Sequence, residues 1–412
     1  MSFNLIRSPT ILCPDQSRVL LRLFTPGDSQ RVAEILARIM AIPEDRVSVI
    51  LKGICVDFAQ RHQEIRLSFL ERFEEIRDML AIEDHVSLER RLLIGSYFLG
   101  EYSLESAALF NPSIVPHVDQ TSLPPGSLRF ILSLRATGEG HISSVTFRTG
   151  VIHPDNRIEV YTPIGFLTEP HQIPNPVYEK PLFARKLAEI GLAREFTRRV
   201  MQKLGDSFNL EDLRSSLQAE QFRLPDGMVQ EDQDEAQGIW MLARSNYEVQ
   251  FQEDLEVSQR ILFPATPSQR NGIEDARFVC FQNDDGTHVY YATFTAYDGR
   301  VIVPELVETD DFLRFRFITL NGPAAENKGM ALFPRKVNGL YAMLSRQDNE
   351  NIYLMFSDNV HFWNERQVIL KPAFPWELVQ LGNCGSPIET DAGWHGAGRS
   401  GRGAGHLDVG PV

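Results

Sequence analysis

Cysteine is scarce in this sequence and never paired at short range. Only Cys13, Cys55, Cys280 and Cys384 occur among 412 residues, and no CxxC unit is present. Two of them sit in apolar runs, Ile11-Leu12-Cys13 and Val279-Cys280-Phe281, so free buried thiols in a reducing compartment are expected. The 10 histidines are scattered without metal-ligand spacing, and GxxxxGK[ST], HExxH and GxSxG are all missing. Phosphate-loop chemistry, zinc-protease chemistry and the serine-hydrolase elbow therefore have no support. No apolar run reaches the roughly 18 residues of a membrane span. The opening MSFNLIRSPT has no signal-peptide apolar core. A cytoplasmic protein with no membrane partner is the expectation. Positive charge is also in deficit, with 41 Lys+Arg against 55 Asp+Glu and a net charge of −14. That field repels nucleic acid, so no nucleic-acid partner is expected. Neutral sugars are indifferent to it, whereas a phosphate co-substrate needs a local basic pocket.

Two stretches read as helix. From about 28 to 100, Val32, Ile35, Leu36 and Ile39 recur at spacings of three and four, as do Phe69, Leu70, Phe73, Ile76 and Leu80. Ser29 and Ser87 are the candidate N-caps. A second helical block spans about 181–222. The rest reads as short strands rich in β-branched and aromatic residues: 128–134, 141–147, 239–242, 289–294, 312–318, 340–344 and 351–356. Asn283-Asp284-Asp285-Gly286, Asp298-Gly299, Asn338-Gly339 and Asp348 to Asn351 separate them as turns. The acidic segment 226–237 reads as a solvated loop. This is a mainly β chain with the texture of propeller blades, which sandwiches share.

Several motifs carry candidate chemistry. In order they are Phe110-Asn111-Pro112-Ser113-Ile114, Leu134-Arg135-Ala136 with His141 to Ser144, and Gly272-Ile273-Glu274-Asp275-Ala276-Arg277-Phe278. Then come Tyr290 to Gly299, Asn327-Lys328-Gly329 to Pro334, Ala342 to Arg346, Ser357-Asp358 before His361-Phe362-Trp363, and Gly385-Ser386-Pro387-Ile388 before Gly393-Trp394. Read alone, Asp275 is either an ion-paired strand start or a carboxylic acid that protonates a departing glycosidic oxygen. Glu274 next to it should point to the opposite face of a strand and act as a structural partner. Lys328 reads as a solvated loop residue or an anion ligand. Arg346 reads as a strand-end ion pair with Asp348 or an anion ligand.

Taken together over about 108–394, these motifs resemble glycoside hydrolase family 130, the β-mannoside phosphorylases and mannosidases. The resemblance implies a five-bladed β-propeller. It also implies inverting cleavage of a β-mannoside oligosaccharide, with inorganic phosphate as co-substrate, no cofactor and no metal, and α-mannose 1-phosphate as product. The position matching Asp275 is the proton donor in that family, acting through a sugar hydroxyl. Lys328 and Arg346 match phosphate-binding positions. Asn111 and Arg135 match positions that hold the mannosyl unit, with Arg148 and Arg277 as further substrate-binding candidates. Tyr297 and Asp298 read as a hairpin tip or a sugar-site lining; Trp240, Trp363 and Trp376 as blade core or a stacking face.

The sequence also departs from the family pattern. Glu389 stands where phosphorylases commonly carry Lys, which keeps an inverting mannosidase open. A non-catalytic sugar-binding propeller is the reading from another class. After Trp394 the alternating pattern stops, and 7 glycines fall between 393 and 412. The last blade is therefore expected to be incomplete. The expected organisation is a helical region at 1–105, a β-propeller at 106–394 with a helical insertion at 181–222, and a Gly-rich tail at 395–412. The helical additions suit either homo-oligomerisation or walling off one side of a cleft.

Overall fold

The computed structural model describes residues 8–77, 85–173, 176–223, 230–297, 302–375, 377–391, 393–400 and 403–408. The chain is mainly β, with eight α-helices among the described residues. Four of these helices form the N-terminal region: α1 (Ser29–Met40), α2 (Glu44–Phe58), α3 (Ile65–Ile76) and α4 (Leu88–Tyr97). Their apolar faces meet around Val47, Phe73, Leu93 and Phe98, all buried. Ser87 caps α4 as expected, accepting from the Arg90 amide. For α1 the cap is Asp28, one residue earlier than expected, whose carboxylate accepts from the Arg31 amide at 2.8 Å. A carboxylate at that place also suits the positive end of the helix dipole. The strand Val19–Leu23 pairs antiparallel with Leu99–Ser103 and closes this region.

Three four-stranded antiparallel meanders follow. The first comprises Ala108–Pro116, Leu128–Thr137, Ser143–Ile152 and Ile158–Val160. The second comprises Gly272–Gln282, His288–Tyr297, Ile302–Thr309 and Arg314–Thr319. The third comprises Lys328–Leu332, Tyr341–Arg346, Ile352–Ser357 and Gln367–Leu370. The first two touch where Gly272 pairs in parallel with Ser143. Gly272 has φ +143°, and a Cβ there would lie 2.8 Å from the Ser143 amide nitrogen, so only glycine permits this seam. Behind it, Phe147 packs edge-on against Phe278 and Phe312, with ring centroids 5.9 and 5.8 Å away. Such aromatic pairs add to the burial that joins the two meanders.

Helices α5 (Lys180–Glu189), α6 (Glu195–Gln202) and α7 (Leu210–Gln221) match the expected insertion. The block extends further, because α8 (Gln230–Arg244) occupies part of the segment read as a solvated loop and all of the strand expected at 239–242. Ala236, Ile239, Trp240 and Ala243 line one face of α8 and pack against Leu187, Phe196 and Leu213. The acidic run supplies Glu231 and Asp232 to the first turn, where the dipole favours them. A short apolar run such as Ile239 to Leu242 does not reveal its period, and tertiary packing decided it.

The chain beyond Trp394 also differs from expectation. Gly393–Ser400 is a strand paired with Leu381–Asn383, Ile388–Thr390 and Gly403–Asp408. Ladder hydrogen bonds need only backbone groups, so glycine-rich sequence does not exclude a strand. The cysteines are free, as expected, but Cys13 and Cys384 are exposed and Cys55 and Cys280 half-buried.

Candidate active site

The first strand of each meander breaks its register once. The breaks lie between Phe110 and Ser113, between Glu274 and Arg277, and between Lys328 and Ala331. Each contains a residue with left-handed backbone: Asn111 at φ +51°, Asp275 at +54° and Gly329 at +88°. Asn and Asp tolerate this conformation better than other side-chain residues, and bulges re-aim side chains away from the regular alternation. The first two bulges meet, because Asn111 Nδ2 donates to Asp275 Oδ1. Arg135 Nη1 donates to the same oxygen at 2.9 Å. Arg135 Nη2 reaches Glu274 Oε1 at 2.6 Å and its Nε donates to Ser143 Oγ at 2.9 Å. Its guanidinium also lies 4.9 Å from the Phe110 ring centroid. Glu274 and Asp275 thus share one arginine instead of facing opposite ways. The bulge overturns the alternation expected of adjacent strand residues.

The third bulge adds cations. Lys328 stands directly opposite Arg346 across the ladder. Gly329 makes their approach feasible, since a Cβ on it would lie 2.9 Å from Arg346 Cβ and 3.1 Å from Asn383 Oδ1. Arg277, Lys328, Asp275, Thr293, Thr295 and Pro304 line a small, partly open cavity. Desolvation lowers the pKa of Arg277 to about 10, against the attraction of Asp275, and nearby Arg346 lowers it further. Arg346 is also lowered by burial, partly offset by Asp275 and Asp348. These two arginines stay charged at neutral pH but are poorly solvated, a state that an added anion relieves. Among the described residues, Arg346 Nε is buried without a hydrogen-bond partner. Asp348 does not neutralise Arg346 by direct contact; it accepts from the Glu350 and Asn351 amides and from Tyr353.

Residues 230–402 match the family model described as β-1,4-mannooligosaccharide phosphorylase, of glycoside hydrolase family 130. This segment, less than half of the chain, therefore resembles glycoside hydrolase family 130. Over 147 residues the chain is 32% identical to a 1,2-β-oligomannan phosphorylase of Thermoanaerobacter sp., covering 34% of this chain and 46% of that one. Over 162 residues it is 32% identical to a β-1,2-mannobiose phosphorylase of Listeria innocua, covering 36% and 44%. The match therefore spans about half the length of each relative. The solved β-1,2-mannobiose phosphorylase from Listeria innocua, in complex with β-1,2-mannobiose, superposes with a TM-score of 0.34 at 17% identity, over 73% of this chain and 74% of that one. The matched segment 230–402 contains Asp275, Arg277, Lys328 and Arg346, whereas Asn111 and Arg135 reach the site from the first meander.

Arg148 is not brought to this cluster. Arg135 pairs with Val145 and Leu132 pairs with Arg148, so the two arginines are three positions apart and project from opposite faces of the sheet. Arg148 instead binds buried Glu105 at 2.6 Å and Thr146 Oγ1 at 3.1 Å. Glu389 forms a two-bond ion pair with Arg335, one bond at 2.8 Å, and lines a different cavity. Trp363 is fully buried and donates to the Val360 carbonyl, which makes it core. Trp240 is half-buried on α8, with Arg214 5.4 Å from its ring. Tyr297 ends its strand half-buried; Asp298 and Trp376 lie outside the described residues. Residues that sequence reasoning missed are Ser143, Phe110 and Asn383. Asn383 Nδ2 donates to the Gly329 carbonyl at 2.6 Å and braces the third bulge. Phe110 and Ser143 fall inside the motifs noted above without a role of their own, and nothing in the local sequence marks Asn383. Among the described residues no cluster of three metal-ligating side chains occurs, and no helix is long and apolar enough to cross a membrane.

Proposed function

We propose that the chain is an inverting β-mannoside phosphorylase, with Asp275 as proton donor and Arg277, Lys328 and Arg346 as the phosphate site. The observation that carries this reading is the cationic corner beside Asp275, built by a bulge whose arginine partner retains an unpaired, buried Nε. Inorganic phosphate satisfies that corner as an anion and serves as the nucleophile. One phosphate oxygen bonds to the anomeric carbon from the face opposite the leaving group while the glycosidic carbon–oxygen bond breaks. The departing oxygen takes a proton that originates on Asp275. Both protein bonds to Asp275 fall on Oδ1, so Oδ2 is the oxygen assigned to proton transfer. Phosphate brings its own charge, and no second carboxylate is required as base. Asn111 and Arg135 fix the carboxyl, and with it the rim where the mannosyl unit binds. No cofactor enters the scheme.

The named activities of the relatives support a β-linked mannoside as donor, and the three meanders are read as blades of a five-bladed propeller whose fourth sheet is centred on Gly393–Ser400. Incubation with β-1,2- or β-1,4-mannobiose and phosphate should release α-mannose 1-phosphate, followed by phosphorus NMR. Mannose formed at full rate in phosphate-free buffer would overturn the phosphorylase reading. Asp275→Asn should lower kcat by about 10²–10⁴-fold, the usual worth of a positioned proton donor. Retention of turnover in that variant would remove Asp275 from the role.

A further inference from the structure

Behind the wall of the Asp275 cavity lies a carboxylate that the proposed chemistry does not use. Glu305 is fully buried on the strand Ile302–Thr309. The residue before it, Pro304, lines the cavity and pairs with Thr295, another lining residue. Glu305 Oε2 accepts from Gln269 Nε2 at 2.9 Å, and Oε1 accepts from Ser268 Oγ at 3.1 Å. Both donors sit in the 3-10 turn Pro267–Gln269, directly ahead of the strand that opens at Gly272 and carries Asp275. Gln269 Oε1 in turn accepts from Tyr247 Oη at 2.9 Å and from the Ala265 amide at 3.2 Å. Ser268 Oγ also lies 2.9 Å from Thr266 Oγ1 and 3.3 Å from Ser245 Oγ.

We propose that Glu305 is a positioning residue: through Ser268 and Gln269 it sets the start of the Asp275 strand, and its protonation state sets how firmly that start is held. The inference rests on Asp275 being the proton donor. In the ionised state both carboxylate oxygens accept, and charge-assisted bonds of this kind are stronger than neutral ones. In the neutral state one oxygen must carry the proton. The Gln269 amide nitrogen cannot accept it, so the proton resides on Oε1 and the Ser268 hydroxyl turns towards Thr266 or Ser245. The Ser268 bond then reverses, with Oε1–H donating to Ser268 Oγ, and both bonds to the turn lose their charge assistance.

The surroundings place this change near neutrality. Burial raises the Glu305 pKa to about 7, opposed by its bonds to Gln269 and Ser268 and by the Lys186 ammonium on α5. Lys186 is itself tied to Glu189 at 3.4 Å and to the Leu320 carbonyl at 2.9 Å. The other titratable neighbour is Tyr247, whose phenol burial raises well above its usual value. Across the ladder Glu305 faces Phe294 and Thr319, neither of which titrates.

The test is the pH profile of kcat at saturating phosphate and mannobiose between pH 5.5 and 8.5. Wild type should gain roughly tenfold in kcat as pH rises through about 7, with KM for mannobiose nearly constant. Glu305→Gln should remove that rise and hold kcat at its acid-limb value throughout, and Lys186→Met should move the midpoint upward. A rise that persists unchanged in Glu305→Gln belongs to phosphate ionisation and overturns the proposal. Amide hydrogen exchange over residues 265–275, corrected for intrinsic pH dependence, decides independently of turnover. Protection should strengthen across pH 7 in wild type and stay flat in Glu305→Gln. If wild type shows no phosphorolysis at any pH, the parent reading fails while exchange still decides the role of Glu305. Identical exchange in the two proteins would sink it.

Discussion

Two arginine–carboxylate clusters lie on opposite faces of the first meander, and they differ in one respect that decides their roles. In the inner cluster, Glu105 is 0% exposed and binds Arg18 at 3.2 Å and Arg148 at 2.6 Å. Arg18 further donates to the Ser258 and Ile164 carbonyls at 2.7 and 3.0 Å, and Glu105 Oε2 accepts from the Asp15 amide at 2.9 Å. Glu105 is shared by the two guanidiniums, whose other contacts are to carbonyls and Thr146 of the fold, and desolvation, with Arg148 nearby, lowers the Arg18 pKa to about 10. In the other cluster, the Asp275 side chain is 34% exposed beside a cavity, and the cations facing it outnumber their protein partners. A closed ion network ties chain segments together, here the N-terminal segment, the Ser143–Ile152 strand and the turn near Ser258. An open network with surplus positive charge leaves room for an added anion, which is the basis of the phosphate site proposed above.

Breaking the closed cluster should cost the most. Glu105→Ala leaves Arg18 and Arg148 buried without a counter-charge, and removal of one partner from such a network costs about 3–5 kcal/mol. Urea unfolding should report that loss. A change under about 1 kcal/mol would show that water or another acid replaces Glu105. In the open cluster the same kind of change should act on binding instead. Arg346→Met removes a charge that the fold does not pair, so stability should hold within about 1 kcal/mol. The KM for phosphate should rise about 10- to 100-fold, the worth of one or two hydrogen bonds to a charged ligand. A large drop in stability with unchanged phosphate KM would reverse the assignment of the two clusters.

The contrast also explains what was legible in the sequence. Helices α1 and α3 were readable because Val32, Ile39, Phe69, Phe73 and Ile76 repeat at helical spacing and their packing agrees with it, and the start of α4 from Ser87 as a cap. The strands carrying Arg135, Tyr291 and Arg346 were readable from β-branched and aromatic runs between turn residues. Asp275, Lys328 and Arg346 were singled out because motif order survives in one dimension, and the fold sets Lys328 beside Asp275 and opposite Arg346. The fate of Arg148 was not located that way, because the face a strand residue takes depends on register with its neighbour, and a one-residue shift inverts it. Glu274 was misjudged for a related reason. Alternation holds only in an unbroken strand, and the bulge at Asp275 is a property of pairing with Thr293 to Thr295 rather than of local composition. Helix α8 was lost to an apolar run too short to show its period.

A third arginine–carboxylate pair sharpens the comparison at its weak end. Arg335 and Glu389 meet with two bonds but remain 42% and 48% exposed, and Glu389 is lowered in pKa by the Arg335 bond against a small desolvation. Water competes for both groups, so such a pair is worth under about 1 kcal/mol. Glu389→Gln should therefore leave urea stability within that range and leave phosphate dependence as in the parent protein. The second result carries the argument. A carboxylate that activated water in a hydrolytic reaction would, when replaced by Gln, suppress any mannose release in phosphate-free buffer while sparing phosphorolysis. Glu389 is held by Arg335 at a cavity separate from that of Asp275, and the expected outcome is equal mannose release from Glu389→Gln and parent, at background level in both.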